Sequence, residues 1–178
     1  GPEKDFFALR DFIRNRFGLH FPPNKYQTLH AKLIKTCKAG GMSDFSELAR
    51  ELFEHPNSRL IPVLAENVTT NFTHFFREEK AFRFLQNQVL PFLRTPAPRF
   101  WSAASSTGEE AYTLAMILAE FFFHGNPPRE PVILGTDISA RVLRTAEAGV
   151  YPLEALGKVP AHFLRKYFVP RGASEFEI

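Results

Sequence analysis

The sequence is poor in several features that would settle its class early. It holds a single cysteine, Cys37, among 178 residues, so no internal disulfide can form. With no leader-like opening, this points to a reducing, cytoplasmic setting. No apolar run approaches the roughly 20 residues that a membrane-spanning helix requires. Charge of one sign is not concentrated. The formal net charge is +3 and the pI about 9.1, which tilts the chain toward anionic partners but falls short of the basic stripe of a nucleic-acid binder. Two glycosylation sequons, Asn67-Val-Thr69 and Asn71-Phe-Thr73, lack a secretory context and are read as unused. Gly1-Pro2 reads as a remnant of tag removal. Repeats and low-complexity tracts are absent.

What is present is the composition of a globular protein. Hydrophobic residues make up 44% and charged residues 23%, with 20 phenylalanines. The length suits one ordinary domain or two small ones. Apolar residues recur at helical spacing over 5–17, through Phe6, Leu9, Ile13 and Phe17, with Gly18 as a stop. Pro22-Pro23 breaks the chain, a second helix fits 24–38, and Gly40-Gly41 closes it. Asp44 with Glu47 predicts a capped helix over 44–54. A fourth helix fits 57–66, and a longer one is expected over 77–94. Past Thr95 the texture changes. "FWSAA" and "VILGTD" read as buried strands, each followed by a helix (108–123 and 139–148), with "NPPREP" as a break between them. Strand-helix-strand-helix means a βαβ unit with parallel strands. The expected organisation is a helical domain over 3–68, a linker helix region over 69–98, and a partial Rossmann-like domain over 99–178.

The first βα turn, "SSTGEE", is where a nucleotide-like cofactor would sit. It has only Gly108 where a dinucleotide fingerprint wants three glycines, and it lacks a P-loop lysine. The turn therefore suits a cofactor without phosphate at that point, such as S-adenosylmethionine. Asp137 ends the second strand and is placed either to accept from ribose hydroxyls or, with Ser139, to cap the next helix. Glu110 either completes a capping box with Thr107 or faces the cofactor's ammonium, while Glu109 is expected in solvent. In "TTNFTHFFRE", Thr69, Thr70, Asn71 and Thr73 are weak helix formers, and Phe72, Phe75 and Phe76 are expected to pack. Arg77 either grips a carboxylate or pairs at the surface with Glu78 or Glu79.

Four stretches, "TTNFTHFFREEKAF", "WSAASSTGEEAYTLAMILAE", "ILGTDIS" and "AEAGVYPLEAL…FLRKYF", occur in the same order in the CheR-type chemoreceptor glutamate methyltransferases. The chain resembles that family over nearly its whole length. The resemblance implies an α/β fold class, with an all-α N-terminal domain followed by a Rossmann-like methyltransferase domain. It implies S-adenosylmethionine as cofactor and S-adenosylhomocysteine as product. By matching motif, the cofactor contacts would be Asn71, Thr73, Arg77, Glu110 and Asp137, with Arg77 nearest the reacting carboxylate and no metal. The implied partners are the cytoplasmic methylation helices of chemoreceptors. Lys25, Lys32, Lys35 and Lys38, with His30, form either a docking face for such helices or a solvated surface.

The sequence ends at "RGASEFEI", whereas the family continues with further strands, a small β-subdomain and residues that complete the pocket. Only the first half of the site is therefore expected. Two parallel strands leave apolar edges. Either the remainder of the domain covers them, or the fragment is a stable proteolytic core, or two copies pair, and an oligomer or extensive lattice contact is expected at 101–104 and 132–136. A non-catalytic cofactor-binding or interaction module is the alternative reading. A methyltransferase for small molecules or RNA is a third, since fold does not fix substrate.

Overall fold

The computed structural model describes residues 2–123 and 130–178. The chain divides into two compact units, Gly1–Thr70 and Asn71–Ile178.

The first unit is four helices: α1 (Pro2–Phe17), α2 (Tyr26–Gly40), α3 (Phe45–Glu54) and α4 (Leu60–Val68). Each turns one apolar stripe inward. Leu9 and Ile13, Leu29 and Leu33, Leu48 and Leu52, and Leu60 and Leu64 are almost fully buried in one core. Each such side chain stabilises the unit by roughly 1.5–3 kcal/mol. Gly41 ends α2 in the left-handed region at φ +69, its N–H bonded to the carbonyls of Cys37 and Lys38. Asp44 caps α3 as expected: its carboxylate accepts from Glu47 N at 2.9 Å, and Glu47 reaches back to Ser43 N at 2.8 Å. The fourth helix starts later than its sequence pattern indicates. Ser58 forms a turn instead, accepting from Leu60 N and donating to Glu51.

The second unit opens on an irregular segment at 71–78. The helix expected over 77–94 is helical over 79–92 but is not one regular α-helix. Helix α5 spans only Glu79–Phe84, followed by one wide π-type turn over Leu85–Val89 and a 3-10 turn over Leu90–Phe92. Pro91 accounts for this, because it has no N–H to give and its ring collides with the carbonyl four residues back. Strand β1 (Arg99–Ala103), α6 (Glu109–Phe123), β2 (Val132–Thr136) and α7 (Ala140–Ala148) then form the βαβ unit. The strands are parallel, with Phe100 opposite Ile133 and Ser102 opposite Gly135. The break read at "NPPREP" begins at 126, and 126–129 lie outside the described residues. Both strands bury only one face. Phe100 and Ser102 turn inward, while Trp101, Val132 and Leu134 are exposed. The strands are therefore not buried on both sides, as their apolar runs suggest.

After α7 the chain builds a small antiparallel sheet from β3 (Val150–Pro152), β4 (Val169–Arg171) and β5 (Glu175–Glu177), with α8 (Ala161–Tyr167) between β3 and β4. Tyr151, Leu156, Phe163 and Phe168 pack with Phe75 and with Leu114, Ile117 and Leu118 of α6. No helix among the described residues is long and apolar enough to cross a membrane.

Candidate functional site

The site region is the turn between β1 and α6, at the carboxyl ends of the two parallel strands. Ala104 and Ser106 take left-handed backbone angles there, φ +58 and +50, and Gly108 follows at φ +97. Non-glycine residues adopt such angles only where their surroundings over-determine them, and they cluster at functional sites. Gly108 is required by packing. A Cβ there would lie 2.8 Å from Ala146 Cβ and 3.0 Å from the Tyr151 hydroxyl.

Asp137 follows β2 and is half-buried. One carboxylate oxygen accepts from Ser106 N and the other from Ser139 N, both at 2.9 Å. The helix-capping role falls to Ser139, whose Oγ accepts from Val142 N. Asp137 instead ties the two strand-end turns together and keeps lone pairs on each oxygen for a ligand. Glu110 is exposed and accepts from the buried Ser102 hydroxyl at 2.7 Å.

Two sequence readings require correction at this turn. The capping box of Thr107 and Glu110 does not form. Helix α6 starts at Glu109, so Glu110 is its second residue and reaches the strand instead, while the Thr107 hydroxyl donates to Glu109 at 2.6 Å. Glu109 is not in solvent. It is 6% exposed and lies near Tyr151, whose hydroxyl donates to the Thr107 carbonyl at 2.6 Å. Burial first, and then the Glu109 carboxylate, pushes the Tyr151 phenol far above its usual range.

The 71–77 segment is pinned to the turn at two points. Ser106 Oγ donates to the Asn71 carbonyl at 3.1 Å, and Phe76 N, at φ +56, donates to Thr113 Oγ1 at 3.1 Å. Phe75 is fully buried and Phe76 packs beside it, but Phe72 is 70% exposed and does not pack as expected. Arg77 curls back over Phe72. Its Nη1 donates to the Phe72 carbonyl at 3.0 Å, and its guanidinium lies 5.7 Å from the Phe72 ring centroid. A loose contact with Glu78 at 4.0 Å adds little. Among the described residues, the Asn71 amide and the Thr73 hydroxyl have no hydrogen-bond partner within the chain. Asn71 and Asp137 thus meet through Ser106, whereas Glu110 and Arg77 are each held by other partners.

Sequence reasoning missed Ser102, Ser106 and Thr113. The available signals were the run of small hydroxyl residues in "SAASST" and one threonine inside the apolar stripe of "AYTLAMIL".

The residues present suit S-adenosylmethionine. Ala103 and Ala104 leave the strand end open, and the buried Ser105 Oγ has no hydrogen-bond partner among the described residues. Two carboxylates, an amide, a hydroxyl and a guanidinium offer complements to an ammonium, ribose hydroxyls and a carboxylate. The known proteins this chain matches agree. The model described as "CheR methyltransferase, SAM binding domain" matches 71–178, and "CheR methyltransferase, all-alpha domain" matches 4–69.

The chain belongs to the CheR methyltransferase family.

S-adenosylmethionine is the cofactor of the domain at 71–178. Among relatives, the chemotaxis protein methyltransferase of Borreliella burgdorferi is 33% identical, over 96% of this chain and 62% of its own length. Chemotaxis protein methyltransferase 2 of Pseudomonas aeruginosa is 34% identical, over 93% and 58%. The Escherichia coli chemotaxis protein methyltransferase is 31% identical, over 97% and 58%. The chain thus spans about three-fifths of the length of these CheR relatives.

Proposed function

We propose that this chain carries the helical domain and the leading part of the cofactor domain of a cytoplasmic methyltransferase that esterifies glutamate side chains of chemoreceptors. The observation that carries this reading is Asp137. It sits at the end of a parallel strand with both oxygens fixed by backbone N–H groups, beside an open turn without phosphate-binding glycines. Asp137 accepts from ribose hydroxyls, Glu110 faces the ammonium, and Asn71 and Thr73 turn their unpaired polar groups to the cofactor. S-adenosylmethionine, when bound, supplies an electrophilic methyl group.

A glutamate side chain has a pKa of about 4.3 and is ionised at neutral pH, so the chain need not provide a general base. Its contribution is to hold the carboxylate in line and to exclude water. Arg77 is suited to that task, because its present partners are one carbonyl and one distant carboxylate. Lys25, Lys35 and Lys38 are exposed on or beside α2 and support docking of an acidic receptor helix. Lys32 does not belong to that face. Its Nζ donates to the carbonyls of Asn67, Val68 and Thr69 at the end of α4.

Calorimetric titration with S-adenosylmethionine and S-adenosylhomocysteine tests the reading. Saturable binding that disappears in a folded Asp137→Ala variant supports it. A folded wild-type chain that binds neither ligand overturns cofactor binding by this chain. Labelled methyl transfer to a receptor fragment as a base-labile ester, rather than to RNA, then decides the substrate class.

A further inference from the structure

Ser106 has no part in the contacts proposed above, yet it touches two of the elements that make them. Its N–H donates to one oxygen of Asp137 at 2.9 Å, and its hydroxyl donates to the Asn71 carbonyl at 3.1 Å. It is 6% exposed and sits at φ +50. A serine in that conformation is strained, and the strain persists because both ends of the residue are bonded. The segment it holds is anchored at its far end by Phe76 N on Thr113 Oγ1. Between those two anchors stand Asn71 and Thr73, whose polar side chains have no partner in the chain among the described residues. A segment tied down by its main chain while its side chains stay unpaired is arranged to present those side chains to something else.

We infer that Ser106 is a positioning residue for the cofactor site: its hydroxyl docks the Asn71–Thr73 segment, while its main chain fixes Asp137. The inference rests on the cofactor reading above. The hydroxyl and the strain are separable. Ser106→Gly keeps the N–H on Asp137, relieves the positive φ and removes the hydroxyl. Ser106→Ala removes the hydroxyl and keeps the strain.

The experiment combines amide hydrogen exchange of the unliganded chain with calorimetric titration of S-adenosylhomocysteine, for wild type and both variants. In both variants, peptides covering 70–76 should exchange about 3- to 10-fold faster, the size of one neutral hydrogen bond, while those covering 109–120 stay at the wild-type rate. Affinity should fall about 3- to 10-fold in both, although the glycine variant melts no lower than the alanine variant. A purely structural role, acting through strain, would instead have glycine recover the affinity. That result, or exchange at 70–76 unchanged in both variants, overturns the inference. If the wild-type chain binds no ligand, the cofactor reading fails, and the exchange rates alone decide whether Ser106 docks the segment.

Discussion

Gly108→Ala should be among the most damaging single changes in the second unit, and its cost follows from the geometry. The new methyl group would sit 2.8 Å from Ala146 Cβ, 3.1 Å from Ala146 Cα and 3.0 Å from the Tyr151 hydroxyl. Two of those atoms belong to a helix residue that cannot rotate away, and the third is a hydroxyl committed to the Thr107 carbonyl. Overpacking of this kind costs about 1–3 kcal/mol. Holding an alanine at φ +97 adds about 1–3 kcal/mol. The sum, about 2–6 kcal/mol, is a large part of the roughly 5–15 kcal/mol that holds a domain together. For a unit of about 100 residues it corresponds to a fall in Tm of about 8 °C or more. Trp101 is the single tryptophan and lies in the second unit, so its fluorescence during urea unfolding reads that unit alone. Ala146→Gly serves as the second arm of a double-mutant cycle. It should cost about 1 kcal/mol alone, through helix propensity. It also removes the closest contact, so the double variant should be less destabilised than the sum by about 1 kcal/mol or more. Strict additivity, or a Gly108→Ala variant within about 0.5 kcal/mol of wild type, would refute the steric account.

Lys32→Met should destabilise the first unit by about 1–2 kcal/mol in urea, because three carbonyls at the end of α4 lose a charged donor; Lys35→Met, with no such bonds, is the control. Cys37 is buried, and burial followed by the nearby Asp44 carboxylate raises its thiol above the usual range. It should therefore resist thiol reagents in the native chain and react when the first unit unfolds, and rapid native labelling would contradict its placement. Tyr151 is held neutral by burial, by Glu109 and by Tyr112. Above its ordinary value of 10.0, the unfolded chain sheds a phenol proton that the folded chain keeps, so the stability of the second unit should fall as pH rises past that point. Tyr151→Phe should flatten that alkaline slope while costing about 1–2 kcal/mol at neutral pH through the unpaired Thr107 carbonyl.

Much of the fold is local in origin, and the parts that are local were readable. The helix over Phe6, Leu9 and Ile13, the Asp44 cap and the Gly41 stop each depend on residues within a turn or two of one another. The βαβ unit was readable for the same reason, since its strands and helices announce themselves by composition. Failures came where one residue overruled its neighbours or where distant segments met. Pro91 distorted the last turns of a helix that its surrounding apolar spacing supported. In the small sheet, β4 and β5 form a local hairpin, but β3 pairs with β5 across the intervening α8, and no local pattern marks that pairing.

The site divides along the same line. The chemical types at 71–77, 107–110 and 137, and the resemblance they carry, are properties of the chain alone. Which carboxylate is buried is not. Glu109 and Glu110 are adjacent and identical in type, and only the packing of α6 against Tyr151 and β1 decides that the first is enclosed and the second reaches Ser102. Ser106 gained its role in the same way. It becomes the junction of Asn71 and Asp137 only once segments more than thirty residues apart are folded onto one turn. Side-chain identity and helical or strand periodicity act over a few residues and are written in the sequence. Burial and hydrogen-bond partnership depend on which distant surfaces meet, and the folded structure alone decides that.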